Sequence, residues 1–521
     1  MQDAAAKRLT LLSICLGLFI IQLDLMVANL ALPSIQRDIG GGVAAQQWIM
    51  DAYTLVYASL LPSGGALGDR IGHKRVLIIG LLIFAAGSLL CALAGSVAVL
   101  VLGRAIQGVG AAIEIPATLA IVATTFPAGK ERARAMAAWA TVNGVSAAVG
   151  PTVGALMVEH LGWPSVFLLN LPVAAVTLPL AFYAVREADD GPRRQVGAAS
   201  QLCFAILLAA ATATAIEGAR LGWMSTPILA GGGVAALALV GFLRLDRRAV
   251  HPLIPRPLLR GPGVIVALTC TAMMTFAMYG LLFMASLYFQ SVRGSAPFIA
   301  GLGLLPLSIA YVAIAQATGR LQQRVSDRCL ITAGMAGMGA GMAGFAMLTP
   351  ETSWPVLIAV FVVTGIGLGF NTGPAVGLVV KSAPQAQAGT ASGLANTARM
   401  AGATLGVAVL GALLNRSGGM AGGAHLLPGM HDAAWLGALV LLAGAALAAV
   451  TLRPRSAATS PAATPSGALE AIQRWRRRAE YVAELQRLDD QTLADMGLHR
   501  GEIRSAVIEA ERNGAAERRC R

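Results

Sequence analysis

Charged residues are scarce in this chain of 521 residues, where Asp, Glu, Lys and Arg together make up 12%. Soluble domains carry about 25%. Apolar residues make up 56%, and runs of about twenty of them recur, each long enough to cross a hydrocarbon core of ~30 Å. The alternation of apolar and polar residues that a membrane β-barrel requires is missing from these runs. The composition therefore predicts an all-α polytopic membrane protein.

Signals for catalysis and for cofactors are missing as well. The six cysteines are scattered and form no C-x-x-C pair, so there is no disulfide or metal signature. The histidines are predicted to lie in loops or near the C-terminus, which argues against a histidine proton relay in the membrane. No G-x-x-x-x-G-K-[ST] phosphate loop is present, so ATP is not the expected energy source. We expect no enzyme activity, no metal site and no cofactor.

The apolar runs predict fourteen membrane spans. They cover residues 9–32, 46–67, 76–95, 97–124, 134–158, 164–185, 197–217, 226–245, 263–290, 298–319, 329–348, 353–379, 387–414 and 432–452. Loops after even-numbered spans, counted with the residues at their edges, hold eighteen Lys and Arg, whereas loops after odd-numbered spans hold four. Since Lys and Arg concentrate in cytoplasmic loops, both termini are predicted to face the cytoplasm.

An internal repeat divides the spans into two sets. GALGDRIGHKR at 65–75 is similar to GRLQQRVSDRC at 319–329, an offset of 254, and Gly150-x-x-x-Gly154 matches Gly402-x-x-x-Gly406 at an offset of 252. Matching offsets are typical of a duplicated six-helix unit. We predict an N-terminal half over 1–190, a C-terminal half over 261–452, and two inserted helices with their flanking loops over 191–260.

Five stretches together resemble the signatures of the major facilitator superfamily, specifically its fourteen-span drug:proton antiporter branch. They are LDLMVANLALP (23–33), GALGDRIGHKR (65–75), RAIQGVGAA (104–112), GVSAAVGPTVGA (144–155) and GTASGLANTARMAGATLGVA (389–408). The resemblance covers about residues 8–452. It implies a multi-pass protein of the bacterial cytoplasmic (inner) membrane, with two six-helix halves and two inserted central helices. It also implies proton-coupled export of amphiphilic drugs or biocides by alternating access, and we expect the substrates to be cationic.

Charged residues inside the predicted spans are the candidates for coupling protons to substrate. A charge in mid-bilayer costs at least ~2.5 kcal/mol, so it usually faces a partner or a cavity. The candidates are Asp24, Asp51, Arg104, Glu114 and Arg399. Arg104 resembles the arginine that the family ties to proton coupling, whereas Glu114 replaces a residue that is usually aliphatic there. For each of them the alternative is a packing role, and for Asp51 a solvated acid at a helix end.

Two further motifs are predicted to act on conformation rather than on substrate. The turn between spans 2 and 3 carries the gating residues Gly65, Asp69, Arg70, Gly72, Lys74 and Arg75. The resemblance gives Asp69 the role of a latch to the N-terminus of span 13, where a helix dipole attracts an anion. The antiporter motif in span 5 contains Gly144, Gly150, Pro151 and Gly154. Its small residues allow close helix contact, which in the family seals the cavity against proton leak.

Span 9 is rich in methionine and aromatic side chains. They are Met273, Met274, Phe276, Met278, Tyr279, Phe283, Met284 and Tyr288. Such faces suit an adaptable apolar pocket, but a packed core or a lipid-facing surface is the simpler interpretation.

The C-terminus differs in composition from the spans. Residues 453–467 form a Pro/Ser/Ala-rich linker, and residues 468–521 are charged and helical in pattern. LDDQTLADMGLHRGEI at 488–503 resembles a small arginine-rich bacterial domain of unknown function. The cluster of Arg474, Arg476, Arg477 and Arg478 either binds anionic lipid or nucleic acid, or the helices pack on an unidentified partner.

The expected partners are a small amphiphilic substrate, protons and the lipid bilayer, with no nucleic acid for the transporter core, and we expect a monomer. Two other functions stay open at this point. One is export of a specific metabolite such as an amino acid or siderophore. The other is a non-transporting membrane sensor that signals through its tail.

Overall fold

The computed structural model describes residues 2–127, 129–187, 197–249, 252–253, 262–322, 324–382, 388–416, 423–452, 486 and 490–495. The chain divides into two compact units, residues 1–454 and 455–521. The predicted linker and nearly all of the predicted tail domain lie outside the described residues. In the second unit the described element is one short helix.

Helices make up nearly all of the described chain. They are α1 (Gln2–Ile39), α2 (Val43–Ile71), α3 (His73–Ala92), α4 (Val97–Thr125), α5 (Lys130–Leu161), α6 (Pro164–Leu168), α7 (Asn170–Ala184), α8 (Ala198–Leu221), α9 (Thr226–Arg248), α10 (Pro262–Leu287), α11 (Pro297–Leu321), α12 (Asp327–Phe345), α13 (Trp354–Lys381), α14 (Ala388–Arg416), α15 (Leu427–Thr451) and α16 (Asp490–Asp495). A π-helical turn, Tyr288–Val292, extends α10, and a 3-10 turn, Gly423–Leu426, precedes α15.

A helix stands at each of the fourteen predicted spans, with α6 and α7 together forming the sixth. Eleven of the described helical stretches are long and apolar enough to cross a membrane, and a twelfth qualifies if the bent pair Arg134–Ser146 and Val149–Leu161 is one span. The remaining two, α2 and α12, are less apolar, and α12 contains five glycines. The prediction of an all-α polytopic membrane fold is confirmed. That α2 and α12 also cross the membrane stays a prediction.

The small residues of α5 pack against α1. A Cβ added at Gly150 would lie 2.7 Å from the Cβ of Met26, and one at Gly154 would lie 2.5 Å from Cγ1 of Val27. Gly144 differs, because an added Cβ would meet only an ordinary contact of 3.6 Å with Val312 of α11. Close approach to α1 therefore requires glycine at two of the three predicted positions.

The matching glycines of α14 pack in the same way against α10. A Cβ at Gly402 would lie 2.2 Å from the carbonyl oxygen of Ala272, and one at Gly406 would lie 2.1 Å from that of Phe276. In both halves the fifth helix thus presses its glycine pair against the first helix. This shared packing is what a duplicated six-helix unit produces.

The inserted helices sit differently. Helix α8 packs on α2 and on α14, and α9 packs on α8. Gln201 donates to the backbone oxygen of Ser59 at 3.0 Å, and Trp48 donates to Glu217 at 3.1 Å, so side chains at both ends of α8 bond to α2. Helix α8 therefore covers the line along which α2 and α14 meet.

The aromatic and methionine side chains of α10 point mainly into the bundle. Met274, Tyr279, Phe283, Met284 and Tyr288 each expose no more than 2% of their surface. A lipid-facing surface is thereby excluded for these five residues.

Candidate proton and substrate site

Asp24 of α1 and Arg104 of α4 form an ion pair inside the N-terminal half. Nη1 of Arg104 donates to Oδ2 of Asp24, and the two side chains expose 0% and 1% of their surface. Two candidates that the sequence indicated separately thus form one neutral unit. A buried ion pair of this kind is stable only when its remaining polar atoms also find partners.

Two neutral side chains complete the partners of Asp24, and Ser88 holds both of them. Gln107 donates to its Oδ1 at 3.1 Å and Asn170 at 2.9 Å. The same two amides donate to Oγ of Ser88, at 2.8 Å and 3.1 Å. Helices α1, α3, α4 and α7 therefore converge on one polar network in an apolar bundle.

Asn170 is the first residue of α7, directly after the short break that ends α6 at Leu168. Pro172 lacks the N–H that would bond the carbonyl of residue 168. Gln107, Asn170 and Ser88 were not predicted from the sequence, because only charged residues were taken as candidates. The spacing of Arg104 and Gln107, three residues apart on one helix face, was the available signal.

Arg104 also ties α4 to α2. Its Nε donates to the backbone oxygen of Ile49 at 3.1 Å, and its guanidinium carbon lies 4.4 Å from the ring centre of Tyr53. Phe167 lies on another side, 5.9 Å away. One guanidinium group thus joins α1, α2 and α4. A change in the charge of Asp24 would therefore alter the hydrogen bond between Arg104 and Ile49.

Asp51 lies deeper than the sequence analysis placed it. Helix α2 begins at Val43 rather than at residue 46, so Asp51 lies in its third turn. The side chain of Asp51 is fully buried there. Thr54 contacts its Oδ1 at 3.5 Å, while Oδ2 has no hydrogen-bond partner among the described residues. The interpretation of Asp51 as a solvated acid at a helix end is wrong.

Glu114 is fully buried between α1, α3 and α4. A Cβ at Gly17 would lie 2.2 Å from its Oε1, and one at Gly80 would lie 3.0 Å from its Cβ. Two glycines thus make the space for this side chain. Neither carboxyl oxygen has a hydrogen-bond partner in the described part of the chain. Arg104 stands ten residues before Glu114 on α4, about 15 Å along the helix, and it pairs with Asp24 instead.

Arg399 of α14 is the candidate in the C-terminal half. Its Nη1 contacts Oδ1 of Asn396 at 3.3 Å, and its Nε is buried without a partner among the described residues. The hydroxyl of Tyr279 on α10 lies within hydrogen-bonding range of Arg399. Tyr57 on α2 is near enough to interact electrostatically with the same guanidinium group. Arg399 thus lies where helices of the two halves meet.

Four of the seven tyrosines of the chain gather around this place. They are Tyr53, Tyr57, Tyr279 and Tyr311. Tyr53 and Tyr57 stack edge to face at 5.9 Å. Tyr57 and Tyr311 stand 254 positions apart, which is the offset of the repeated loop. The sequence analysis missed this pair, although the repeat offset could have revealed it.

The predicted gating turn is shorter than an eleven-residue loop. Residues 65–71 belong to α2, and the turn consists of Gly72 alone, with a φ of 99°. A Cβ at Gly68 would lie 2.4 Å from Nδ1 of His73, so the turn requires glycine there too. Asp69 pairs with His73 at 3.3 Å. Residues 383–387, next to its predicted latch site on span 13, lie outside the described residues.

The basic residues of this turn have separate surroundings. Lys74 lies 5.3 Å from the ring centre of Phe182, while Arg70 and Arg75 are exposed. Gly65 differs from Gly68, since an added Cβ would lie 3.7 Å from Pro116, an ordinary contact.

Hydrogen bonds between the halves cluster at one end of the bundle. Ser286 donates to the backbone oxygen of Asn29 at 2.7 Å, and Gln290 donates to that of Leu30 at 3.1 Å. Gln47 donates to the backbone oxygen of Ala408 at 2.8 Å. These residues lie at the ends of α1, α2, α10 and α14 that carry the loops predicted to face outward.

The fold and the buried charges define a polytopic helical membrane transporter. The family model described as Major Facilitator Superfamily matches residues 14–407, and the model of the YjiS-like domain matches residues 468–504. The chain belongs to the major facilitator superfamily. The resemblance to a small arginine-rich bacterial domain at the C-terminus is confirmed by the second match.

Relatives in the family are named for drug resistance. The chain is 35% identical to the Multidrug resistance protein Stp of Mycobacterium tuberculosis (strain CDC 1551 / Oshkosh), over 78% of this chain and 75% of that protein. It is 34% identical to the Methylenomycin A resistance protein of Streptomyces coelicolor (strain ATCC BAA-471 / A3(2) / M145), over 77% and 84%. A crystal structure of a bacterial homologue of the human lysosomal transporter Spinster shares the fold, with a TM-score of 0.61 and 18% identity over 86% of this chain and 97% of that one.

Proposed function

We propose that this protein exports amphiphilic drugs in exchange for protons, by alternating access. The observation that carries the proposal is the pair of acids in the N-terminal half. Asp24 is neutralised by Arg104, whereas Glu114 is buried without a partner among the described residues. An unpaired carboxyl group costs least when it carries a proton, because a neutral acid is cheaper to bury than an anion.

Protonation of Asp24 would act on the helices through Arg104. A neutral Asp24 no longer offers a full negative charge, so the guanidinium group would lose its strongest partner. Arg104 also bonds Ile49 of α2 and faces the ring of Tyr53. Loss of the ion pair would therefore loosen α4 from α1 and α2 together, which links proton binding to helix movement.

The acids also give a reason for exchange rather than co-transport. A proton and a cationic substrate would compete for the same negative charge, so they cannot be carried together. We expect Glu114 and Asp51 to serve such substrates once the packing of Gly17 and Gly80 around Glu114 opens. The cationic character of the substrates stays a prediction.

The predicted topology and the bonds between the halves are compatible with export. If both termini face the cytoplasm, the end of the bundle where Gln47 and Ser286 bond the opposite half faces outward. These hydrogen bonds then close the outer end. A site closed to the outside receives its substrate from the cytoplasm or the inner leaflet, which is the first step of export. We expect a monomer, with the tail binding a partner of its own.

The relatives support drug export, and their names include both broad and narrow substrates. One is named for multidrug resistance and the other for resistance to methylenomycin A. Export of one specific compound is therefore the second candidate function, and a substrate panel separates the two.

The test is efflux from proteoliposomes with and without an imposed pH gradient. We expect ethidium or a quaternary ammonium compound to be exported only when protons flow in the opposite direction. Asp24→Asn combined with Glu114→Gln should abolish the efflux that the gradient drives. The matched control is Glu217→Gln, which removes a carboxylate that bonds Trp48 and Arg220 at the end of α8. Efflux that resists a protonophore, or that survives the double change, would overturn the proposal.

A further inference from the structure

We propose that Arg399, together with Tyr279 and Tyr57, forms a subsite for a substrate oxyanion, such as the carboxylate of an acidic or zwitterionic amphiphile. This inference rests on the proposed export function and adds a substrate class to it. The residues come from both halves of the bundle, because Tyr57 lies on α2, Tyr279 on α10 and Arg399 on α14.

Arg399 lies deep in the bundle. It stands eleven residues after the beginning of α14, which is about 16 Å along a helix. An arginine side chain keeps its charge under all physiological conditions. A charge at this depth is costly, so it needs a compensating partner or access to a polar cavity.

The two candidate arginines, Arg104 and Arg399, differ in how they are compensated. Arg104 has the carboxylate of Asp24, a backbone carbonyl and an aromatic ring, although its Nη2 has no partner among the described residues. Arg399 contacts the amide of Asn396 at 3.3 Å and the hydroxyl of Tyr279, and its Nε has no partner in the described part of the chain. No carboxylate of the described chain lies within 4 Å of Arg399, so its positive charge is not neutralised there.

A role as a structural clamp accounts poorly for this arrangement. A clamp would bond backbone oxygens across helices, as Arg104 does with Ile49, or would pair with an acid. Its side-chain contacts go to Asn396, three residues back on its own helix, and to the hydroxyl of Tyr279 on α10, and none of those found in the described chain goes to a backbone oxygen or a carboxylate. The guanidinium group therefore keeps donors in place for a ligand, and a carboxylate is the ligand whose geometry it matches best.

The tyrosines supply the rest of such a subsite. Tyr279 is 2% exposed and Tyr57 is 3% exposed, so an oxyanion between them would be shielded from water. Each phenol can donate a hydrogen bond to an oxygen of the ligand. Each ring also offers an apolar surface to the apolar part of the ligand. A ligand held by Arg399 and Tyr57 would touch both halves and so depend on their relative position.

The charge around Arg399 agrees with an acidic ligand. Asp24 is paired with Arg104, and no carboxylate of the described chain lies within 4 Å of Arg399. Glu114 lies near enough to interact with Tyr57, and it leaves the charge of Arg399 in place when it carries its proton. Permanently cationic compounds would gain nothing from Arg399, whereas acids and zwitterions would bring it a negative group.

The experiment compares acids with their methyl esters on the full-length protein in lipid nanodiscs. The probes are norfloxacin, nalidixic acid and 1-pyrenebutyric acid, each paired with its methyl ester, and dissociation constants are measured for each pair. We expect the wild type to bind the acids more tightly. Arg399→Gln should weaken acid binding about tenfold or more while esters change by less than about twofold.

Two variants separate charge from structure. Arg399→Lys keeps the positive charge and should restore part of the preference for acids, and Tyr279→Phe should reduce it by a smaller factor. Arg416→Gln, at the other end of the same helix, is the matched control and should leave the acid-to-ester ratio unchanged. Thermal unfolding of each variant checks that the bundle is intact.

The inference is overturned if the wild type binds none of the acids more tightly than the esters, or if Arg399→Gln lowers both equally. Failure of the export proposal would look different. In that case acids would still bind with the predicted preference, but no proton gradient would drive their movement across the membrane.

Discussion

Asp24 and Arg104, eighty residues apart in the chain, form a fully buried ion pair at the centre of the N-terminal half. Their partners on α3 and α7 complete a network that leaves Asp24 with three donors. Removing one member of such a pair leaves the other charge buried without a counter-charge.

Arg104→Gln should destabilise the protein by about 3–5 kcal/mol, because it leaves the charge of Asp24 buried and uncompensated. Thermal unfolding of purified protein in detergent measures the loss. Adding Asp24→Asn to the same molecule should recover a large part of it, since two neutral amides can bond each other. Equal losses in the single and double variants would contradict the pairing.

Gly17→Ala should lower stability by about 1–3 kcal/mol, because a methyl group there overlaps the carboxyl group of Glu114. Adding Glu114→Ala should relieve the overlap and return much of the stability. Gly232→Ala is the control, since nothing lies within 4 Å of a Cβ at that position. A Gly17→Ala variant with unchanged stability would show that Glu114 does not occupy this space.

Gln47→Leu combined with Gln290→Leu should weaken closure at the outer end, since these side chains bond backbone oxygens of the opposite half. Labelling of a cysteine introduced at the buried Ala408, which accepts from Gln47 through its backbone oxygen only, by a membrane-impermeant maleimide should become faster in that background. Gln36→Leu removes a hydrogen bond to Gln46 within one half and is the matched control. If all three backgrounds label alike, these bonds do not hold the end closed.

Gly68→Ala should impair folding or transport more than Gly65→Ala, because only the first methyl group would overlap His73. Asp69→Asn should slow transport without abolishing substrate binding, as expected of a latch. Transport rates and dissociation constants measured on the same preparations distinguish these effects. An unchanged rate for Asp69→Asn would count against the latch.

Deletion of residues 456–521 should leave transport intact, because they belong to the second compact unit and not to the membrane bundle. Expression level and membrane insertion must be matched before efflux is compared. Lost transport in a normally inserted truncation would show that the YjiS-like region takes part in the cycle.

The sequence by itself determined the helices of the membrane bundle. Apolar runs of about twenty residues must bond their backbone internally in lipid, and only a helix does so within one segment. For that reason the helices follow the fourteen predicted spans within a few residues, and the Lys and Arg asymmetry predicts their orientation. The repeat offset of about 254 residues likewise predicted two similar halves, and the structure shows Gly150 and Gly402 each packed against the first helix of its half.

The tertiary structure decided which polar groups meet. Spacing along one helix showed that Arg104 could not reach Glu114, but only the packing of α1 against α4 gave it Asp24. Burial of Asp51, the space that Gly17 and Gly80 leave for Glu114, and the unpaired Nε of Arg399 also follow from contacts between distant segments. A sequence records each charge but not its neighbours, and in a medium without water the neighbours decide what a charge can do.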